Sequence, residues 1–168
     1  MTKTITAVAA LQLVEAGRLK LDDGLDDYLP ETPYRGQGIT LRQLLTHTAG
    51  LPNPIPLRWV HLVEDAPKFD EWVALDRILK RHPRLIAPPG TRYGYSNLGY
   101  WLVGGIIEAI TVRPFVECVR ERIIATLGLS PVEMDFCIQR PAQHSHGYLP
   151  RFSFLNLMKG FVTDPAFW

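Results

Sequence analysis

Residues 88–108, PPGTRYGYSNLGYWLVGGIIE, decide how the rest of the chain is read. Pro88-Pro89-Gly90 is a turn signature, because proline presets φ and glycine accepts the backbone conformations that close a turn. Leu98 to Ile110 is mostly apolar at helical spacing, which predicts a long, buried helix there. Tyr95-Ser96-Asn97 therefore falls at a loop-to-helix junction beside Gly94. Taken alone, Asn97 reads as an N-cap before it reads as a ligand-binding amide, since its side-chain oxygen can accept an unpaired helix N–H. Gly104-Gly105 inside the helix indicates close packing against a neighbour, and no phosphate-loop pattern surrounds it.

Working outward, residues 2–16, TKTITAVAALQLVEA, form a second apolar helix, whose Ile5, Val8, Ala9, Leu11, Leu13 and Val14 cover most of its circumference. A helix apolar nearly all round is expected to be buried. Gly17 stops it, and Arg18 to Leu29 reads as a connector with acidic turns, held to the core by Leu19, Leu21, Leu25 and Leu29. Thr40 caps a short helix expected through about Thr48, ending at Gly50 before Pro52. Leu51 to Lys68 carries four of the fourteen prolines and no clean period, so it reads as a surface excursion. Asp70 opens a helix that Pro83 ends, and Pro114 suits the first position of a further one, FVECVRERIIATL, closed by Gly128. Beyond Pro131 the signals weaken: Asp135 to Gln139 reads as a short strand, His144 to Pro150 as a loop, Phe154 to Lys159 as a helical turn or two. The fold class is mainly α, in one domain over residues 1–168.

Composition narrows the function. A chain of 168 residues, 46% hydrophobic, is long enough for one domain with a sizeable core. Eighteen basic and seventeen acidic side chains nearly cancel, leaving no electrostatic footprint for nucleic acid or an anionic membrane. No stretch reaches the roughly 18 apolar residues of a membrane span, and no signal-peptide layout opens the chain. As written it reads as cytoplasmic, with the native compartment open. Cys118 and Cys137 make neither a disulfide framework nor a metal cluster, and Cys118 falls on an apolar helix face. His144 and His146 have ligand-like spacing without a third ligand, which favours a loop-surface role. Trp59, Phe69, Trp72 and Trp101 read as core or excursion anchors rather than a ligand platform.

Three places could hold reactive groups rigidly. Lys3 heads the first helix, although alone it reads as a solvated helix-end lysine. His47, in LLTHTAGLP (residues 44–52), sits at a helix C-terminus, where the dipole favours a histidine whatever its role. Tyr95-Ser96-Asn97 is the third. Taken in order, Thr-Lys at the head of a buried helix, LLTHTAGLP and PPGTRYGYSNLGYWLVGGIIE resemble the serine β-lactamase and penicillin-binding-protein superfamily. The likeness is to its class C β-lactamase, D-alanyl-D-alanine carboxypeptidase and family VIII esterase branch.

The resemblance implies a helical region of an α/β serine hydrolase, with most of the family's sheet absent from this chain. It implies a serine acyl-enzyme acting on a β-lactam, peptide or ester as small-molecule substrate, with no cofactor and no metal. Lys3 matches the motif lysine, Tyr95 the catalytic tyrosine and Asn97 the motif asparagine. Ser96 matches the variable middle residue and is expected near bound substrate. The nucleophile is expected immediately before Met1, one turn from Lys3, and no Lys-Thr-Gly or His-x-Gly occurs in the sequence. The chain thus looks truncated at both ends. The alternative expectation is an inactive helical fragment that binds or self-associates as a homo-oligomer, because its apolar helices would lack part of their cover.

Overall fold

Two long apolar helices, α1 (Thr2–Glu15) and α5 (Asn97–Thr111), pair at the centre of the molecule. The computed structural model describes residues 2–54, 69–137 and 140. Between the two run α2 (Leu25–Tyr28), α3 (Leu41–Leu45) and α4 (Glu71–Arg81). After α5 come α6 (Phe115–Val119) and a π-helical turn, Arg120–Ile124. α2 and α3 pack on α5, while α6 and the π-helical turn close over α1. Among the described residues there is no strand, only one antiparallel bridge between Gly24 and Thr40. The mainly helical expectation holds.

The core forms where the apolar faces of these helices meet. Ala9, Ala10 and Leu13 of α1 bury against Leu98, Leu102, Val103, Ile106 and Ile107 of α5, with Leu75, Ile78 and Leu79 of α4 in the same cluster. Leu19 and Leu25 are buried and Leu21 and Leu29 pack on the cluster, as the connector reading required. Cys118 is buried and Cys137 exposed. Close packing at Gly105 is confirmed: a Cβ there would lie 2.6 Å from the Trp72 ring.

Several boundaries differ from the sequence reading, each for a physical reason. α1 is not buried all round: Val8 is 41% and Leu11 47% exposed, because its packing partners all lie on the opposite side. α3 stops at Leu45, short of Thr48, because His47 turns into the left-handed region at φ 59°. The connector contains the short helix α2, started by the Asp27 carboxylate, which accepts the Gly24 N–H at 2.8 Å. Pro114 takes the N-cap position rather than the first helical one, with ψ 139°. The helix after it widens at Arg120, where the Ala125 N–H reaches back five residues to the Arg120 carbonyl. Residues 135–137 form no strand; residues 138–139, the 55–68 part of the excursion with Trp59, and the stretches around His144, His146 and Phe154 lie outside the described residues.

Candidate active site

The N-termini of α1 and α5 lie side by side, which brings together residues 94 positions apart. Lys3 Nζ donates to Asn97 Oδ1 at 2.7 Å. The Tyr95 hydroxyl donates to the same oxygen at 3.2 Å. The ammonium also stands over two aromatic faces, 5.1 Å from the Tyr95 ring centroid and 5.6 Å from that of Tyr100, within reach of cation–π attraction. Tyr95 remains 46% exposed, with its ring packed against that of His47 at 4.7 Å.

What holds the Tyr95-Ser96-Asn97 tripeptide is the segment after α3. Gly50, at φ 70°, lies so close to the Ala87 carbonyl that a Cβ would come within 1.9 Å of its oxygen. That contact lets residues 47–50 run beside residues 86–94: the Gly50, Thr48 and His47 carbonyls accept the N–H groups of Ile86, Gly90 and Gly94, each at 2.8 Å. The Ser96 N–H donates to His47 Nδ1 at 3.3 Å, and the Ser96 hydroxyl donates to the Pro52 carbonyl at 2.6 Å. Asn53 Oδ1 accepts both the backbone N–H of Asn97, at 3.0 Å, and its side-chain Nδ2, at 3.1 Å.

These bonds revise two readings. Ser96 occupies the N-cap position of α5 but makes no cap with its side chain; Asn97 is the first helical residue, and its N–H is capped from across the site by Asn53. Ser96 is 3% exposed with its hydroxyl on Pro52, so it lies beneath the site and anchors it. Asn53, Pro52 and Tyr100 were missed in the sequence. Tyr100 had a signal, since it follows Asn97 by three residues on one helix face. Asn53 had none, lying in the Pro-rich stretch that reads as surface.

Electrostatics follow from the packing. Burial, and then the nearby Lys3 charge, hold the His47 imidazole below its ordinary pKa of 6.5 and favour its neutral form. Burial, and then Tyr95, push the Tyr100 phenol up. From Lys3 and Asn97 a cleft of about 310 Å³ runs along α1 and α5, walled by Trp72, Trp101 and Phe115, with Gly104 and Gly105 as its floor. Trp72 is a half-exposed wall of this cleft, its indole N–H donating to Glu108 at 3.0 Å. Among the described residues no group of three His, Cys, Asp or Glu could hold a metal ion. A lysine, a phenol and an amide oxygen thus meet within hydrogen-bond distance, whereas Thr2 lies about 100° round the helix from Lys3.

The family model described as Beta-lactamase matches residues 1–158. The chain belongs to this family. It is 28% identical over 153 residues to penicillin-binding protein 4* of Bacillus subtilis (strain 168), covering 89% of this chain and 33% of that protein. It is 31% identical over 135 residues to the D-alanyl-D-alanine-carboxypeptidase/endopeptidase AmpH of Escherichia coli (strain K12), covering 77% of this chain and 34% of AmpH. The crystal structure of a D-stereospecific amidohydrolase from Streptomyces sp. superposes with a TM-score of 0.62 at 34% identity, over 76% of this chain and 40% of that one. The Beta-lactamase-family chain thus spans about one third of the length of these two relatives.

Proposed function

We propose that this chain carries the proton-transfer half of a serine hydrolase centre of the β-lactamase and esterase type, acting on a small β-lactam, peptide or ester through an acyl-enzyme. The observation that supports this most is the single acceptor, Asn97 Oδ1, shared by Lys3 and Tyr95. Lys3 activates an attacking serine by favouring its alkoxide with a positive charge, Tyr95 takes the serine proton as it gives its own to the leaving group and later relays one from water, and Asn97 orients both. Ser96 serves as an anchor rather than a substrate contact. The relatives named as a carboxypeptidase and a D-stereospecific amidohydrolase make an amide or peptide carbonyl a favoured target.

Removal of the nucleophile from a comparable serine hydrolase lowers turnover by roughly a millionfold. Turnover is read on a chromogenic β-lactam and a p-nitrophenyl ester. A form carrying a serine three positions before Lys3 is expected to turn over and to show an acyl adduct by intact mass. Lys3→Ala and Tyr95→Phe should each lower that rate by about a hundredfold or more. Equal rates in the variants, or an adduct on another residue, would overturn the assignment.

A second reading, self-association without catalysis, is favoured by the outward Val8 and Leu11 of α1, which give a second copy of this chain an apolar stripe to cover.

A further inference from the structure

His47 touches the site in two ways at once. Its Nδ1 accepts the Ser96 N–H at 3.3 Å, while its ring lies 4.7 Å from the Tyr95 ring and 5.2 Å from that of Tyr100, with Tyr93 edge-on at 6.0 Å. Its backbone carbonyl accepts the Gly94 N–H at 2.8 Å. This one residue therefore contacts Gly94, Tyr95 and Ser96, the three residues before the first position of α5. It does so from φ 59°, a conformation unfavourable for a residue with a Cβ. We propose that His47 is a positioning residue for Tyr95 and Asn97, acting as the neutral imidazole protonated on Nε2.

The chemistry leaves one tautomer able to do this. An acceptor at Nδ1 requires its lone pair, so the single proton of the neutral ring sits on Nε2. Protonation would set an Nδ1–H against the Ser96 N–H, two donors facing each other, and place a second positive charge near Lys3. The groups facing the ring are Lys3 from α1, Tyr93 and Tyr95 from the preceding loop and Tyr100 from α5. Burial and the Lys3 charge both favour the neutral form. The consequence is directional: when the imidazole charges, the Ser96 N–H loses its acceptor, and the backbone between Tyr95 and Asn97 loses that anchor.

This rests on reading Lys3, Tyr95 and Asn97 as the proton-transfer group, and the test reads the positioning directly. Nitrogen-15 NMR of the full chain is expected to show His47 protonated on Nε2 at neutral pH. The Ser96 amide resonance should titrate with the same midpoint as the imidazole, below pH 6.5. His47→Gly removes both ring and acceptor while relieving the backbone; Ser96 amide exchange should rise about 2- to 10-fold and the Tyr95 ring resonances should move. His47→Asn, which tolerates positive φ and returns an oxygen near the Nδ1 position, should restore the slower exchange. A proton on Nδ1 at neutral pH, a Ser96 amide indifferent to the His47 titration, or unmoved Tyr95 resonances in folded His47→Gly would each overturn the proposal. Turnover assays on the form carrying a serine three positions before Lys3 address only the underlying reading: no hydrolase activity there beside these spectral couplings refutes that reading and leaves the positioning role standing.

Discussion

Asn97 has an amide whose two ends are nearly the same shape, so its partners decide which end faces the reacting groups. Asn53 Oδ1 takes the Nδ2 end and the backbone N–H, which turns Oδ1 toward Lys3 and Tyr95. Asn53→Leu should therefore lower stability by about 1–2 kcal/mol in chemical denaturation, through the lost cap, and release the Lys3 contact. Asn53→Asp, which keeps an acceptor, should lose less. At His47 the folded state holds the neutral form, with a pKa below the ordinary 6.5. Its contribution to stability is present in full above pH 6.5 and is lost as pH falls through the folded-state value. The urea midpoint should accordingly fall between pH 7 and pH 5, and His47→Asn should flatten that fall; parallel curves would refute the linkage. Lys3, Tyr95 and Asn97 stood out in the sequence only through the family resemblance of the strings that carry them, since each alone has a commonplace reading. Asn53 was illegible, because its role comes from a partner 44 residues away.

At the scale of elements, apolar spacing located the long helices to within a residue or two. α5 was expected over 98–110 and spans Asn97–Thr111, and α4 begins at its predicted Asp70 cap, whose carboxylate accepts the Val73 N–H at 2.9 Å. Helix ends followed local chemistry only where the signal was strong. Gly17 closes α1 with φ 68°, and the Arg18 N–H reaches the Leu13 carbonyl at 3.0 Å. α5 closes instead on Val112, a β-branched residue at φ 56° and 88% exposed. Val112→Gly should relieve that strain without loss of packing. It is expected to raise stability by about 1 kcal/mol and the melting temperature by roughly 2–4 °C in calorimetry; an unchanged or lower melting temperature would contradict it. α2 escaped the sequence reading, and the π-helical turn was read only as part of the helix after Pro114, because four- and five-residue elements carry no measurable period of their own. Each depends on a tertiary neighbour instead: α2 on the bridge between Gly24 and Thr40, the turn on its packing over α1.

For the whole molecule, the question is which apolar surface the described residues cover. α1 buries Ala9, Ala10 and Leu13 on one side and presents Val8 and Leu11 on the other. An apolar stripe of this kind should drive self-association at micromolar concentration in light scattering, and Val8→Glu with Leu11→Glu should return the chain to a monomer. A monomeric wild-type chain with a cooperative melt would refute the second reading. The sequence by itself determined the helical class, the long helices and the family, because periodicity and motif order are properties of the chain alone. Tertiary structure decided that Lys3 and Tyr95 share one oxygen, that Asn53 and His47 hold that arrangement, that Ser96 lies beneath it, and that one face of α1 is left outward. Those outcomes depend on which surfaces meet across tens of residues, and a hydrogen bond or a stacked ring leaves no mark on the spacing of either partner.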